Sequence, residues 1–341
     1  VALYPAWETL PHERLSPRSD TVGQRLAVLR RLTHPDDAVP GRGRPAVVVT
    51  PVRAVLQPQP AGLGDVDPVT LRAGSVVELD DLVRALADAG YHRVDLVERR
   101  GELTVRGGLV DVFPPTAPHP RRVELWGEEV AEIREFAVAD QRSLGVVEEV
   151  YAPACRELLL TPEVRGRAAR LAEEHPELAE LLTKISHGTA VEGMESLAPL
   201  LLDEMELLLD VLPAKCLVLV CDPERVHTRA HDLAATDEEF REASWAAAAE
   251  GGQAPVDVRG ASFRSLADVR GHALTRGQRW WSTSPFEADA EVADQHGVET
   301  VSLGWQAVPG FRGDQPAAFA QLRAWVAQGW ATLLVAAGQG T

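Results

Sequence analysis

Apolar and polar residues alternate from Glu102 to Arg106, pause at Gly107-Gly108, and give way to the apolar-rich run Leu109 to Phe113. Two glycines between strand-like runs predict a hairpin, because the turn twist that suits paired strands needs positive φ. Pro114-Pro115 end the second strand, since proline donates nothing to a ladder. Arg122 to Trp126 and Val130 to Phe136, around Gly127-Glu128-Glu129, predict a second hairpin. Ahead of the four strands lie a helix from Leu82, with Asp80-Asp81 read as its N-cap, and a connector. Strand side chains alternate between faces. Val123 and Leu125 therefore point one way and Arg122, Glu124 and Trp126 the other, while Leu103 and Val105 oppose Thr104 and Arg106. The expected sheet has an aliphatic face to bury and a second face that carries Arg106, Arg122 and Trp126. Such a Trp could pack under a covering helix, with the arginines simply solvated. Equally, Trp and Arg are enriched at binding hot spots, and arginine forks onto carboxylates or stacks on aromatics.

The flanking segments read as α/β. Val22, Leu26 and Leu29 are spaced for a helix over Thr21 to Leu32. Ala46 to Thr50 is a continuous apolar run of the kind that forms a buried parallel strand. Pro51-Val52 opens a helix, and Pro58 to Pro68, threaded with glycine, is a connector. Further on, Glu163 through Arg170, Glu174 and Leu182 is helical. Pro199 to Leu212 predicts one long leucine-rich helix closed by Pro213, Cys216 to Val220 another buried strand, and Thr228 to Ala249 a charged helix. Strands at Glu299 to Leu303 and Ala331 to Ala336 and a helix over Pro316 to Gln328 complete the reading. The two-hairpin module is joined at both ends to α/β segments. We expect an α/β domain built from residues 1–73 and 156–303, interrupted by a small mixed α+β module at 74–155, with a further small domain starting at 304–341. The opening in mid-motif and the strand-like close lead us to expect a longer parent protein.

Composition narrows the function. The 341 residues, 45% hydrophobic, suffice for two or three domains with cores. A net charge of −17 argues against a unit that grips nucleic-acid phosphates, which needs clustered Arg and Lys. Cys155, Cys216 and Cys221 form no paired motif or zinc spacing and fit a reducing cytoplasm. No apolar run approaches the roughly 20 residues that span a bilayer, so neither a metal nor a membrane is expected. His227 and His231 share a helix face but lack the glutamate of a metalloprotease helix, and read as solvated. Trp280-Trp281 read as core, because base stacking would call for basic neighbours.

The run DAGYHRVDLVERRGELTVRGGLVDVFPP, followed by RRVELWGEEVAEIREF and DQRSL, resembles the module shared by the bacterial excision-repair protein UvrB and the transcription-repair coupling factors. Tyr4-Pro5-Ala6-Trp7-Glu8-Thr9-Leu10-Pro11, Ser16-Pro17 and Arg25-Leu26 resemble the coupling factors more closely than UvrB. So do Ile185-Ser186-His187-Gly188-Thr189, Glu192-Gly193-Met194-Glu195 and Pro199-Leu200. The resemblance is dense from Tyr4 to about Val226 and thin afterwards. Several ordered motifs over such a span are far more specific than one short motif. The resemblance implies a degenerate helicase-like parallel-sheet domain, interrupted by a module that docks UvrA, the damage-recognition ATPase. The family's two docking arginines fall on Arg106 and Arg122, and its docking aromatic, usually phenylalanine, falls on Trp126. The intact protein would use ATP and magnesium in a downstream motor, translocate on double-stranded DNA, displace stalled RNA polymerase and recruit excision repair. A distant C-terminal domain would mask the docking face until the motor engages.

An ATPase within these residues is not expected. A P-loop needs GxxxxGK[ST], whereas Lys184 follows Thr183 and Lys215 follows Ala214. Where the resemblance places a magnesium-holding Asp-Glu, the strand ends in Cys221-Asp222-Pro223-Glu224, so Asp222 keeps the position and Pro223 splits the pair. The alternative, a UvrB-type ATP-dependent repair subunit, would also require an aromatic strand-separating hairpin, which has no counterpart in the sequence.

Overall fold

The computed structural model describes residues 1–10, 15–37, 43–249, 262–286, 299–305, 307–308 and 310–333. It forms two compact units, Val1–Ser284 and Pro285–Thr341. The first is a mixed α/β structure with several sheets. It opens with β1 (Ala2–Leu3), α1 (Ser19–Thr33), β2 (Val48–Val49), α2 (Val52–Leu56), β3 (Gln59–Pro60) and β4 (Val69–Arg72). β1 and β2 pair in parallel, Ala2 with Val48 and Leu3 with Val49. The strand expected at Ala46 to Thr50 is parallel but only two residues long, and Val47 and Val49 are exposed rather than buried.

The module follows as α3 (Leu79–Asp88), β5 (His92–Arg93), β6 (Glu102–Arg106), β7 (Leu109–Val112), β8 (Arg121–Trp126), β9 (Glu129–Phe136), β10 (Ser143–Val146) and β11 (Glu149–Ala152). β5 to β10 make one six-stranded sheet in the order β10-β9-β8-β7-β6-β5, antiparallel except for β5 with β6. Both hairpins turn on a glycine at positive φ, Gly107 at 61° and Gly127 at 63°, as strand twist demands. Gly108 is required for another reason: a Cβ there would lie 2.7 Å from the carbonyl oxygen of Leu125 on β8. β11 returns to pair antiparallel with β4, so the two strands at the module's ends close it. Asp80 and Asp81 are not caps. α3 starts at Leu79 with Glu78 at the cap position, which places both aspartates inside the first turn. There they favour the helix through its positive N-terminal dipole rather than through a capping bond.

The sheet's aliphatic face supplies Leu103, Val110, Val112, Val123, Leu125, Val130 and Ile133 to a core that also contains Leu82 and Leu86 of α3. That core is continuous with Val22, Leu26 and Leu29 of α1 and with Tyr4. The join is close: a Cβ on Gly23 of α1 would fall 2.2 Å from the Pro115 Cβ, just after β7. The arginine in the middle of α1 is buried as well. Arg25 Nε donates to Glu157 Oε1 at 2.5 Å, its Nη2 to Gln59 Oε1 at 3.1 Å and its Nη1 to the Pro5 carbonyl at 3.0 Å, and the guanidinium lies over the Tyr4 ring at 4.4 Å. Burial, the largest single influence, pulls the Arg25 pKa down, but Glu157, Tyr4 and Glu8 together outweigh it and the net shift is upward. Trp7 Nε1 donates to the same Glu157 oxygen at 3.0 Å. Motif residues distant in sequence thus meet. Ser16 Oγ donates to Glu195 Oε2 at 2.6 Å, while Arg156 Nη1 donates to Glu195 Oε1 at 2.8 Å.

The rest of the unit is largely helical: α4 (Pro162–Glu174), α5 (Ala179–Ser186), α6 (Ala198–Leu201), β12 (Met205–Glu206), α7 (Leu208–Val211), β13 (Leu217–Cys221), α8 (Pro223–Ala249), α9 (Leu266–Thr275) and β14 (Arg279–Thr283). The long helix expected over Pro199 to Leu212 is instead two short helices separated by β12, because Met205 and Glu206 pair with Pro60 and Gln59 of β3. β13 pairs in parallel with β14. It is half exposed, not buried, with Leu217 and Leu219 open on one side and Val218 and Trp280 packed on the other. Trp280-Trp281 therefore split: Trp281 is exposed, as strand alternation requires. In the second unit the described structure is α10 (Gln315–Ala327), N-capped by Asp314, whose side chain accepts from the Ala317 amide. Glu299 to Leu303 forms no strand; of the strand expected at Ala331 to Ala336, Ala331 to Leu333 forms none and the remaining three residues lie outside the described residues.

Candidate protein-docking face

Two rows of side chains cross the open face of the six-stranded sheet. Register sets them as Thr104, Asp111, Arg122 and Arg134 in one row and Arg106, Leu109, Glu124 and Glu132 in the other, each drawn from β6, β7, β8 and β9 in turn. Trp126 stands at the end of β8, paired with Glu129. All three residues singled out in the sequence, Arg106, Arg122 and Trp126, share this face. Among the described residues nothing covers Trp126: it is 75% exposed, and its indole N–H makes one long contact to Glu124 Oε1 at 3.4 Å.

The two arginines differ. Arg122 is anchored. Its Nε and Nη2 donate to Asp111 Oδ1 and Oδ2 at 2.7 and 2.8 Å, and its guanidinium stacks on the Phe136 ring at 4.7 Å. Hydrogen bonds to Asp111 raise its pKa against partial desolvation. Arg106 is 52% exposed, and its Nη2 sits 3.7 Å from Asp111 Oδ2, an ion pair without a formed hydrogen bond. Phe136 joins Val97 and Phe113 in a small separate core, which gives Arg122 a rigid floor. A shallow open cleft of about 240 Å³ lies beside it, between Arg122, Glu124, Glu132 and Arg134. Arg134 Nε donates to Glu132 Oε2 at 2.6 Å. Within the two rows three arginines and three carboxylates (Asp111, Glu124, Glu132) cancel formally, and Glu129 opposite Trp126 adds one negative charge to the face. It offers guanidinium donors and an exposed indole, which suit recognition of a surface.

Asp111 was missed in the sequence. Its one signal there is a lone carboxylate inside the apolar run Leu109 to Phe113. Its partner could not be read, because the β7–β8 register depends on the irregular 113–120 connection. The other candidate, Asp222, lies apart from this face, at the end of β13. Its backbone adopts φ 58°, its N–H donates to the Thr283 carbonyl at 3.0 Å, and its carboxylate lies 3.6 Å from Arg225 Nε. Glu224 accepts from Ser284 Oγ at 2.8 Å. Among the described residues no group of three or more His, Cys, Asp or Glu is placed to hold a metal, and no helix is long and apolar enough to cross a membrane. His227 and His231 are both exposed on α8.

The geometry and the comparisons agree on the class. Residues 69–156 match the family model of the UvrB interaction domain, from β4 through β11 and just beyond. Over its whole length the chain is 49% identical, across 361 aligned residues, to the transcription-repair-coupling factors of Mycobacterium bovis and Mycobacterium tuberculosis. It is 27% identical to that of Bacillus subtilis over 259 residues, 70% of this chain and 21% of that protein. The chain belongs to the transcription-repair-coupling factors, as a counterpart of their N-terminal region. It spans 28% of the length of the mycobacterial relatives.

Proposed function

We propose that this region is the UvrA-recruiting part of its parent protein, and that the open sheet face is where UvrA docks. The observation that carries this reading is the placement of Arg106, Arg122 and Trp126 on one face of the sheet, Trp126 and Arg106 exposed and Arg122 partly so, with the reverse face in the core. An exposed Trp of this size gains nothing for folding, whereas it can fill a pocket on a partner with little rotamer entropy to lose. Arg106 and Arg122 supply directed donors around it. Losing a central hot spot costs at least about 2 kcal/mol, roughly thirtyfold in affinity. The test is calorimetric titration of UvrA into the chain and into an Arg106→Ala, Arg122→Ala variant that remains folded. Unchanged affinity in the variant sinks the assignment.

Beyond docking, the parallel pairs β1–β2 and β13–β14 are read as parts of a degenerate helicase-like domain divided by the module, with residues 304–341 starting a further domain. This region acts as a protein-binding unit in a reducing cytoplasm, without an ATPase of its own. Asp222 paired with Arg225 and cut off from Glu224 by Pro223 supports that. ATP turnover by the chain alone that disappears in Asp222→Asn would refute it. ATP- and magnesium-driven translocation on double-stranded DNA and displacement of RNA polymerase are assigned to downstream regions of the parent protein. The mycobacterial and Bacillus relatives, all transcription-repair-coupling factors, favour this reading over a UvrB-type repair subunit.

A further inference from the structure

Arg122, a docking residue in the reading above, already has a partner inside its own sheet. Two of its five N–H donors, one on Nε and one on Nη2, are taken by the two oxygens of Asp111. An arginine bound only for internal stability would leave the matter there. Here the carboxylate side chain is 4% exposed, the arginine is 27% exposed, and the Phe136 ring lies under the guanidinium plane. Carboxylate and ring together fix both the plane and the in-plane rotation of the fork. The edge that remains, formed by Nη1 and the second hydrogen of Nη2, is a complete two-pronged donor. Arg106 comes within 3.7 Å of the same Asp111 carboxylate from β6 but forms no hydrogen bond to it, so the fork that Asp111 holds is that of Arg122 alone.

We propose that Asp111 is a positioning residue of the docking face: it grips the Nε side of Arg122 and presents the opposite Nη1–Nη2 edge to a single planar carboxylate on the docking partner. This rests on the docking reading above and names the chemistry of the group recognised. The geometry explains why the position calls for arginine. Lysine is a point charge with no second edge, so an ammonium at position 122 would settle on Asp111 and offer the partner nothing. Asparagine at position 111 keeps the shape but turns an amide N–H₂ toward one arginine donor and releases the fork.

The experiment is a double-mutant cycle on the full 341-residue chain, titrated with purified UvrA, using wild type, Asp111→Asn, Arg122→Ala and the double variant, each with a thermal melt. Asp111→Asn is expected to weaken binding about tenfold, and the double variant to bind no more weakly than Arg122→Ala alone, because Asp111 acts only through the arginine. A merely structural Asp111 would weaken binding equally with or without Arg122, and additive losses therefore overturn the proposal. Asp111→Asn binding like wild type while Arg122→Ala is impaired overturns it too, and leaves the docking reading intact. Wild-type binding by Arg122→Ala overturns both. Arg122→Lys serves if Asp111→Asn fails to fold: it is expected to bind as poorly as Arg122→Ala, and wild-type affinity in it overturns the proposal.

Discussion

Glu157→Ala should be among the most damaging single substitutions in this chain, although the residue lies far from the docking face. Glu157 and Arg25 are both fully buried as side chains, with Nε 2.5 Å from Oε1. Removing the carboxylate leaves a guanidinium that cannot deprotonate, held in place by Gln59, the Pro5 carbonyl and the Tyr4 ring, and it deprives the Trp7 indole of its acceptor. Breaking one side of a buried pair costs about 3–5 kcal/mol. Domains hold only about 5–15 kcal/mol in total. At about 2–4 °C per kcal/mol for a domain of this size, the melting midpoint should fall by roughly 6–20 °C. Glu157→Gln keeps an oxygen for Arg25 and Trp7 and should lose less. The exposed Glu180–Lys184 pair, N to O 2.7 Å, is the control: Lys184→Ala should stay within about 1 kcal/mol of wild type. The assay is thermal and urea unfolding by far-UV circular dichroism. A Glu157→Ala protein that melts within about 2 °C of wild type, or no lower than Glu157→Gln, would refute the reasoning, since less than about 1 kcal/mol would then be at stake.

Gly23→Ala should destabilise the first unit: overpacking against Pro115 costs about 1–3 kcal/mol and exceeds the propensity gain of about 1 kcal/mol from replacing a helical glycine, so a midpoint at or above wild type would count against the close approach of α1 and the module. Glu206 has its pKa raised by burial. Its folded form therefore binds a proton more firmly than the unfolded chain, and stability is forfeited as pH rises through the carboxylate range. Glu206→Gln should accordingly stabilise at neutral pH and lose that advantage in acid; a benefit that grows on acidification would contradict the sign. Trp126→Ala should leave the melting midpoint within the scatter expected of surface positions, about 0.5 kcal/mol, and a marked drop would mean that the indole serves the fold.

The hairpins were legible because a period of two, bounded by glycine and proline, reports directly on local geometry, and the side-chain faces of β8 followed from parity alone. Arg106, Arg122 and Trp126 could be placed on one face for that reason. What parity cannot supply is register between strands joined by irregular connections, and so the Asp111–Arg122 fork stayed hidden. Long-range pairing also defeated the helix expected at Pro199 to Leu212, where leucine spacing favoured a helix and β3 claimed Met205 and Glu206 instead. The apolar runs at Ala46 to Thr50 and Cys216 to Val220 signalled strands correctly, but an apolar run carries no information on what covers it, and both are partly exposed. Motif residues such as Ser16, Arg25 and Glu195 marked the family in sequence. In the structure they are contacts that tie the N-terminal segment to regions more than a hundred residues away.

The central claim is that the open face of the sheet docks UvrA, and calorimetric titration of UvrA into the wild-type chain beside Trp126→Ala tests it most directly. Saturable binding by the wild type, with a loss of roughly thirtyfold or more in a variant of unchanged stability, is the predicted result. Equal binding by the two proteins, or none by either, would contradict the account.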